Sequence, residues 1–175
     1  NAEECWQILV KKLGYREPAQ AWETQSGPKY KLNITSWHSG YWAGGDTFGG
    51  VTLARLNITP DGLRVDPPTG VLPHEFTHCI QMHNTTGYVP GSWWEGHANY
   101  GRERYLQHFG ALFPSTQRSG IDPTYLRCAH QLLAEGRDYY LSWPMFLYLD
   151  ENPDGLGELG EGTNVKLWQQ TQINE

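Results

Sequence analysis

The chain has 175 residues, enough for one domain with a single core, and carries 13 Lys+Arg against 19 Asp+Glu, a net charge of -6 with a pI near 5.6. That balance argues against a nucleic-acid phosphate partner and against an anionic membrane surface, both of which select basic patches. No apolar run approaches the ~18 residues needed to cross a bilayer, and the chain opens on Asn1-Ala2-Glu3-Glu4 rather than on Met or a signal peptide, so a soluble, processed or trimmed chain is expected.

Residues 2 to 13 place Cys5, Trp6, Leu9, Val10 and Leu13 at helical spacing, with Gly14 where a left-handed cap would stop the helix. After the Pro- and Gly-containing segment 18 to 28, Tyr30, Leu32 and Ile34 alternate with polar residues, the period of a half-buried strand. The Gly-rich stretch 39 to 50 reads as a loop leading into a second strand, Val51 to Ile58. It is not a phosphate cradle, because neither G-x-x-x-x-G-K-[ST] nor G-x-G-x-x-G occurs. A turn at Pro60-Asp61-Gly62 precedes a short segment, Leu63 to Val65, able to pair back.

Pro67-Pro68-Thr69-Gly70 ends the strands, and Pro73 falls in the first turn of a helix predicted from Val71 to His83, where its missing N–H costs little. That helix contains His74-Glu75-Phe76-Thr77-His78, an H-E-x-x-H pattern. Four residues is one turn, so both imidazoles reach one metal ion while Glu75 stands beside it as a base. Phe76, Cys79 and Ile80 face the core on the same spacing. Turn-rich residues 84 to 91 then lead to a second helix opening at Ser92 and reaching about Phe109.

In Ser92-Trp93-Trp94-Glu95-Gly96-His97-Ala98-Asn99-Tyr100, Ser92 and Glu95 fit a capping box, but Glu95 also suits the third position of a zinc site. Catalytic zinc commonly keeps three protein ligands and one open position, and sixteen residues between His78 and Glu95 allow a second helix to return past the first. His83 and His97 are the other candidates for the third ligand.

Downstream, Asp122-Pro123 starts a helix through Ala134, on which His130 reads as structural. Tyr139 to Leu149 forms an aromatic-rich helix that Pro144 either kinks or starts near Trp143. Pro153-Asp154-Gly155 is a turn, 155 to 162 a loop, and Thr163 a candidate cap for a last helix to Gln170. Cys5, Cys79 and Cys128 allow at most one internal disulfide, whose pairing the sequence leaves open. Sequons at Asn33, Asn57 and Asn84 are candidate glycosylation sites and point to an extracellular, secreted protein.

The pairing of His74-Glu75-x-x-His78 with Trp94-Glu95-Gly96-x-Ala98-x-Tyr100 resembles the gluzincin group of zinc metallopeptidases. More closely, Gly70 to Gln81 together with Trp93 to Asn99 resembles secreted microbial proteins related to a plant-pathogen avirulence protein, a family largely of unassigned function. Ser142 to Leu149 and Val165 to Trp168 are similar to that group too, so the likeness covers most of the chain. It implies an α+β, zincin-like fold: a small mixed sheet over about 30 to 66 and a mainly helical remainder carrying the H-E-x-x-H helix. It also implies one Zn2+ per chain on His74, His78 and Glu95, with Glu75 as general base and Tyr139 or Tyr140 available to hold the developing oxyanion. Asn99 stands where gluzincins often have an Asp that orients a ligand histidine; a carboxamide still accepts from an imidazole N–H but raises ligand basicity less. The metzincin pattern fails, because Gln81 and Asn84 occupy the positions that would need Gly and His.

The expectation is a single domain over 1 to 175, open to truncation at its C-terminus, acting as a secreted zinc metallopeptidase on a peptide or protein substrate. The alternatives are a zinc hydrolase acting on a glycan or glycoprotein, and an effector or binding module that keeps the zinc site.

Overall fold

The computed structural model describes residues 2–18, 21–24, 27–30, 32–36, 40–48, 51–63, 70–84, 91–110 and 142–170. Helix α1 (Ala2–Cys5) runs into a π-helical segment (Trp6–Lys12), in which the Leu13 N–H reaches back five residues to the Ile8 carbonyl at 3.0 Å. The wider turn brings Ile8 into the core beside Cys5, Leu9 and Val10, whereas Trp6 and Leu13, core-facing on ordinary helical spacing, are only partly buried. Gly14 adopts the left-handed φ of 84° expected of the stop.

The strands depart most from expectation. Segment 18 to 28 holds half of a hairpin, β1 (Ala21–Thr24) antiparallel to β2 (Gly27–Tyr30), so the single strand expected over Tyr30 to Ile34 is divided between β2 and β3 (Asn33–Thr35). Most of the Gly-rich stretch read as a loop is strand β4 (Trp42–Phe48), antiparallel to β5 (Val51–Asn57) with Gly44 opposite Arg55. Strand β3 joins the other edge of β5 in parallel, giving the order β3-β5-β4 and a small mixed sheet. Leu63 does not begin a returning strand: Pro60–Leu63 is one 3-10 turn, and residues 64 and 65 lie outside the described residues.

Beneath the sheet lies α2 (Val71–Asn84), with α3 (Gly91–His108) packed along it. Ala54, Leu56 and Ile58 meet Leu72, Phe76, Cys79 and Ile80 in one core cluster, closed by Leu9, Leu106 and Trp168. Fully burying each such large side chain contributes about 1.5–3 kcal/mol before entropy is counted. Pro144 does not kink its helix but sits in the first turn of α4 (Trp143–Glu151), which ends at left-handed Asn152. In the last helix, α5 (Thr163–Gln170), Thr163 is not the cap: its hydroxyl donates to the Gly160 carbonyl, and Asp150 accepts the Asn164 N–H at 3.1 Å. Tyr100 of α3 also donates to Asp150, tying α3 to both C-terminal helices. The expected helix over 122 to 134, with His130, lies outside the described residues.

Two of the sequon asparagines are buried and hydrogen-bonded. Asn57 is 2 % exposed; its Nδ2 donates to the Gly40 carbonyl at 3.1 Å while its Oδ1 accepts from Thr35 at 3.3 Å. Asn84 is 3 % exposed, donating to the Arg16 and Ile80 carbonyls and accepting the Arg16 N–H at 2.9 Å. Attaching a glycan to either Nδ2 would break these bonds and push a sugar into the interior. Asn33 lies in β3, its side chain outside the described part. The expected disulfide is likewise unsupported: Cys5 and Cys79 are free, fully buried thiols, and Cys128 lies outside the described residues. Among the described residues no helix is long and apolar enough to cross a membrane.

Candidate metal centre

Two close helix approaches place the site. Where α3 crosses α2, a Cβ on Gly101 would stand 2.0 Å from Thr77 Oγ1, so only glycine lets the two backbones meet there. Where α3 meets the start of α4, a Cβ on Gly96 would stand 1.7 Å from Ser142 Oγ. Thr77 is itself held, its hydroxyl donating to the Pro73 carbonyl at 2.7 Å. These contacts set Glu95, on the first turns of α3, against His74 and His78 on α2.

The three side chains converge. His74 Nε2 lies 3.1 Å from Glu95 Oε2 and 3.2 Å from His78 Nε2, and His78 Nε2 lies 3.4 Å from Glu95 Oε2. Helix α3 begins at Gly91, so Ser92 is already inside the first turn, and the Glu95 carboxylate is directed to the histidines rather than into a capping box. His83 and His97 are not part of this group; His97 is fully buried behind it. Tyr139 and Tyr140 lie outside the described residues.

Each histidine is held from behind by a carboxamide. His74 Nδ1 lies 2.9 Å from Asn99 Oδ1, and His78 Nδ1 lies 2.7 Å from Gln81 Oε1. Asn99 was legible as an orienting residue. Gln81 was not, although its place three residues after His78 puts it one helical turn away. Trp94 stacks on His78 at 5.6 Å with planes 12° apart, a second restraint on the ring.

The electrostatics follow from burial and proximity. Burial lowers His74, partly offset by its bond to Glu95. Burial would also lower His78, but its bond to Glu95 and that carboxylate's charge raise it overall. Burial by itself would raise Glu95, yet hydrogen bonds from both histidines bring it down to about 2. Glu75, 7 % exposed, is pushed up to about 7 by burial, with His78 opposing and Glu95 adding to the rise.

The donor set fits a divalent ion. With its Nδ1–H given to a carboxamide oxygen, each imidazole meets Glu95 through Nε2: a proton held there bonds to the carboxylate, and its loss leaves two nitrogen lone pairs and a carboxylate oxygen facing one another. Unscreened, three such acceptors repel. A tetrahedral ion with bonds of about 2.0–2.1 Å requires donor separations of about 3.3 Å, and the observed 3.1 to 3.4 Å agree. Glu95 keeps 23 % side-chain exposure, and the three donors open with Glu75 onto a cleft of about 190 Å³ walled by Tyr41, Trp42, Ala43 and Trp94.

Fold and site together define an α+β chain with two histidines and a glutamate arranged as a three-donor group that could hold a metal ion. The whole chain, residues 1–175, matches the model of a family of unknown function, DUF6055, and belongs to that family. No curated protein and no solved structure matches it.

Proposed function

We propose that this chain is a zinc-dependent hydrolase, a secreted zincin-like metallopeptidase in which His74, His78 and Glu95 hold the ion and Glu75 is the general base. The observation that carries the reading is the convergence of three lone-pair donors at separations of 3.1 to 3.4 Å, with a second carboxyl, that of Glu75, bordering the same cleft. Zinc, when bound, supplies Lewis acidity to a carbonyl and acidifies a water molecule.

Glu75 follows His74 directly, so its carboxylate leaves the helix away from the face that His74 and His78 share and stays available for proton transfer. A carboxylate there takes a proton from water in the cleft and returns it to the leaving amine, serving as base and then acid. The partly enclosed cleft limits competing water and strengthens these interactions. Peptide as substrate is supported by β4. Among the described residues it pairs on one side only, with β5, and residues 41 to 43 at its start line the cleft. An extended peptide adding to that edge would bring a main-chain carbonyl past the histidines. Secretion is supported by the three sequons, at Asn33, Asn57 and Asn84.

The test has two stages. Elemental analysis is expected to find one zinc per native chain and none in His78→Ala; a native chain that is metal-free and resists reconstitution, or one that selects iron, overturns the reading. Cleavage of a peptide library is then expected to disappear in Glu75→Gln with zinc retained. Equal cleavage by that variant would remove Glu75 from the chemistry.

A further inference from the structure

Gln81 is fully buried, and its amide meets three partners at once. Nε2 donates to the Trp94 main-chain carbonyl at 2.7 Å and lies 3.0 Å from His97 Nδ1, while Oε1 lies 2.7 Å from His78 Nδ1. A main-chain carbonyl only accepts, so the Trp94 oxygen decides which end of the carboxamide is NH2. Everything else follows from that one assignment. Oε1 then faces His78 and must be met by an N–H, which places a proton on His78 Nδ1 and, in the neutral ring, leaves Nε2 as a lone pair toward His74 and Glu95. The second N–H of Gln81 points at His97 Nδ1, which therefore accepts. A neutral imidazole accepting at Nδ1 carries its proton on Nε2, 2.7 Å from the Tyr15 hydroxyl.

The network also joins elements far apart in sequence. Gln81 and His78 belong to α2, Trp94 and His97 to α3, and Tyr15 to the segment after the π-helical turn. Trp94 immediately precedes Glu95, so one side chain grips a histidine of the cluster and the backbone that carries its glutamate. His97 is packed on its other faces by Tyr100, Phe146 and Trp168, with ring centroids 4.5 to 5.5 Å away, which fixes it against Gln81.

We propose that Gln81 is a positioning residue: it sets the tautomer of His78 and the spacing of α2 against the start of α3, with His97 and Tyr15 bracing its amide. The tautomer assignment stands on the protein alone, whereas its consequence for metal rests on the zinc reading above. The test is carried out on the full chain. Two-bond nitrogen–proton correlation spectra of the metal-free, 15N-histidine-labelled protein are expected to show His78 protonated on Nδ1 and His97 on Nε2. Gln81→Met, similar in volume but without the amide, is expected to give a mixed His78 tautomer and a zinc dissociation constant roughly 10–100-fold higher. Gln81→Glu still accepts from His78, so it is expected to rescue that tautomer while leaving Trp94 and His97 without their donor.

His78 found bare on Nδ1, its proton on Nε2 alone, in the native chain overturns the proposal, a result that holds even where Gln81→Met does not fold. So does a folded Gln81→Met chain with unchanged tautomer and zinc affinity. A native chain that shows both predicted tautomers yet binds no zinc supports the clamp and sinks the zinc reading, so the two failures are distinguishable.

Discussion

Replacing Gly101 by alanine tests the helix crossing on which the site depends. The added Cβ would lie 2.0 Å from Thr77 Oγ1 and 3.0 Å from both Thr77 Cβ and Cγ2. The first contact is more than about 1 Å inside an ordinary carbon–oxygen separation, too deep for small adjustments to absorb. Thr77 can swing away only by giving up its bond to the Pro73 carbonyl, worth about 1 kcal/mol net. Otherwise α3 must lift from α2. Overpacking of this kind costs about 1–3 kcal/mol, against about 1 kcal/mol recovered from the better helix propensity of alanine.

In Thr77→Ala the hydroxyl and methyl are gone, and only the 3.0 Å Cβ contact is left. Gly101→Ala should then be close to neutral, so a double-mutant cycle is expected to show about 1–2 kcal/mol of coupling between the two positions. Urea unfolding of the four metal-free proteins measures it. A zinc titration should show weaker binding in Gly101→Ala, with recovery in the double variant. Equal cost of Gly101→Ala in both backgrounds would refute the crossing geometry, and with it the reason Glu95 sits where it does.

Asn99→Ala should lower zinc affinity roughly 10–100-fold by releasing His74 Nδ1, whereas Asn99→Asp should raise it through a more basic imidazole; the opposite order in a competition titration would show that Asn99 does not orient His74. Tyr100→Phe removes the donor to buried Asp150, which also caps α5, and should cost about 1.5–3 kcal/mol in urea unfolding with no change in zinc content. Cys5, whose thiol burial pushes up to about 12, and Cys79, raised further by the same cause, should resist alkylation at pH 8 until the chain unfolds. Peptide mapping that finds either one labelled in the native state, or in a disulfide, would contradict the packed core.

The helical half was legible because its signals are local. Pro73 and Pro144 mark helix starts through the missing N–H, the apolar spacing of Phe76, Cys79 and Ile80 marks a buried face, and Gly14 marks a stop. The sheet was less legible. Glycines in 42 to 48 argue for a loop by propensity, yet pairing with β5 along the full length of β4 overrides that preference. The helix read over residues 2 to 13 left Ile8 off its apolar face because the sequence carries no mark of a widened, five-residue winding.

For the candidate site the division is sharper. The sequence by itself determined which side chains can serve as donors, because four-residue spacing on one helix puts His74 and His78 on a common face whatever surrounds them. It also supplied Glu95, through a pattern a few residues long. Only the tertiary structure decided that Glu95 turns to the histidines instead of its own helix end, that Gln81 and Asn99 stand behind them, and that His97 braces Gln81 rather than joining the donors. It decided too that Asn57 and Asn84, sequons by their neighbours, serve as buried hydrogen-bonding residues. The physical reason is common to all of these. A side chain's reach is set by its own helix turn, but its partner is set by whichever backbone the glycines at 96 and 101 allow to come near.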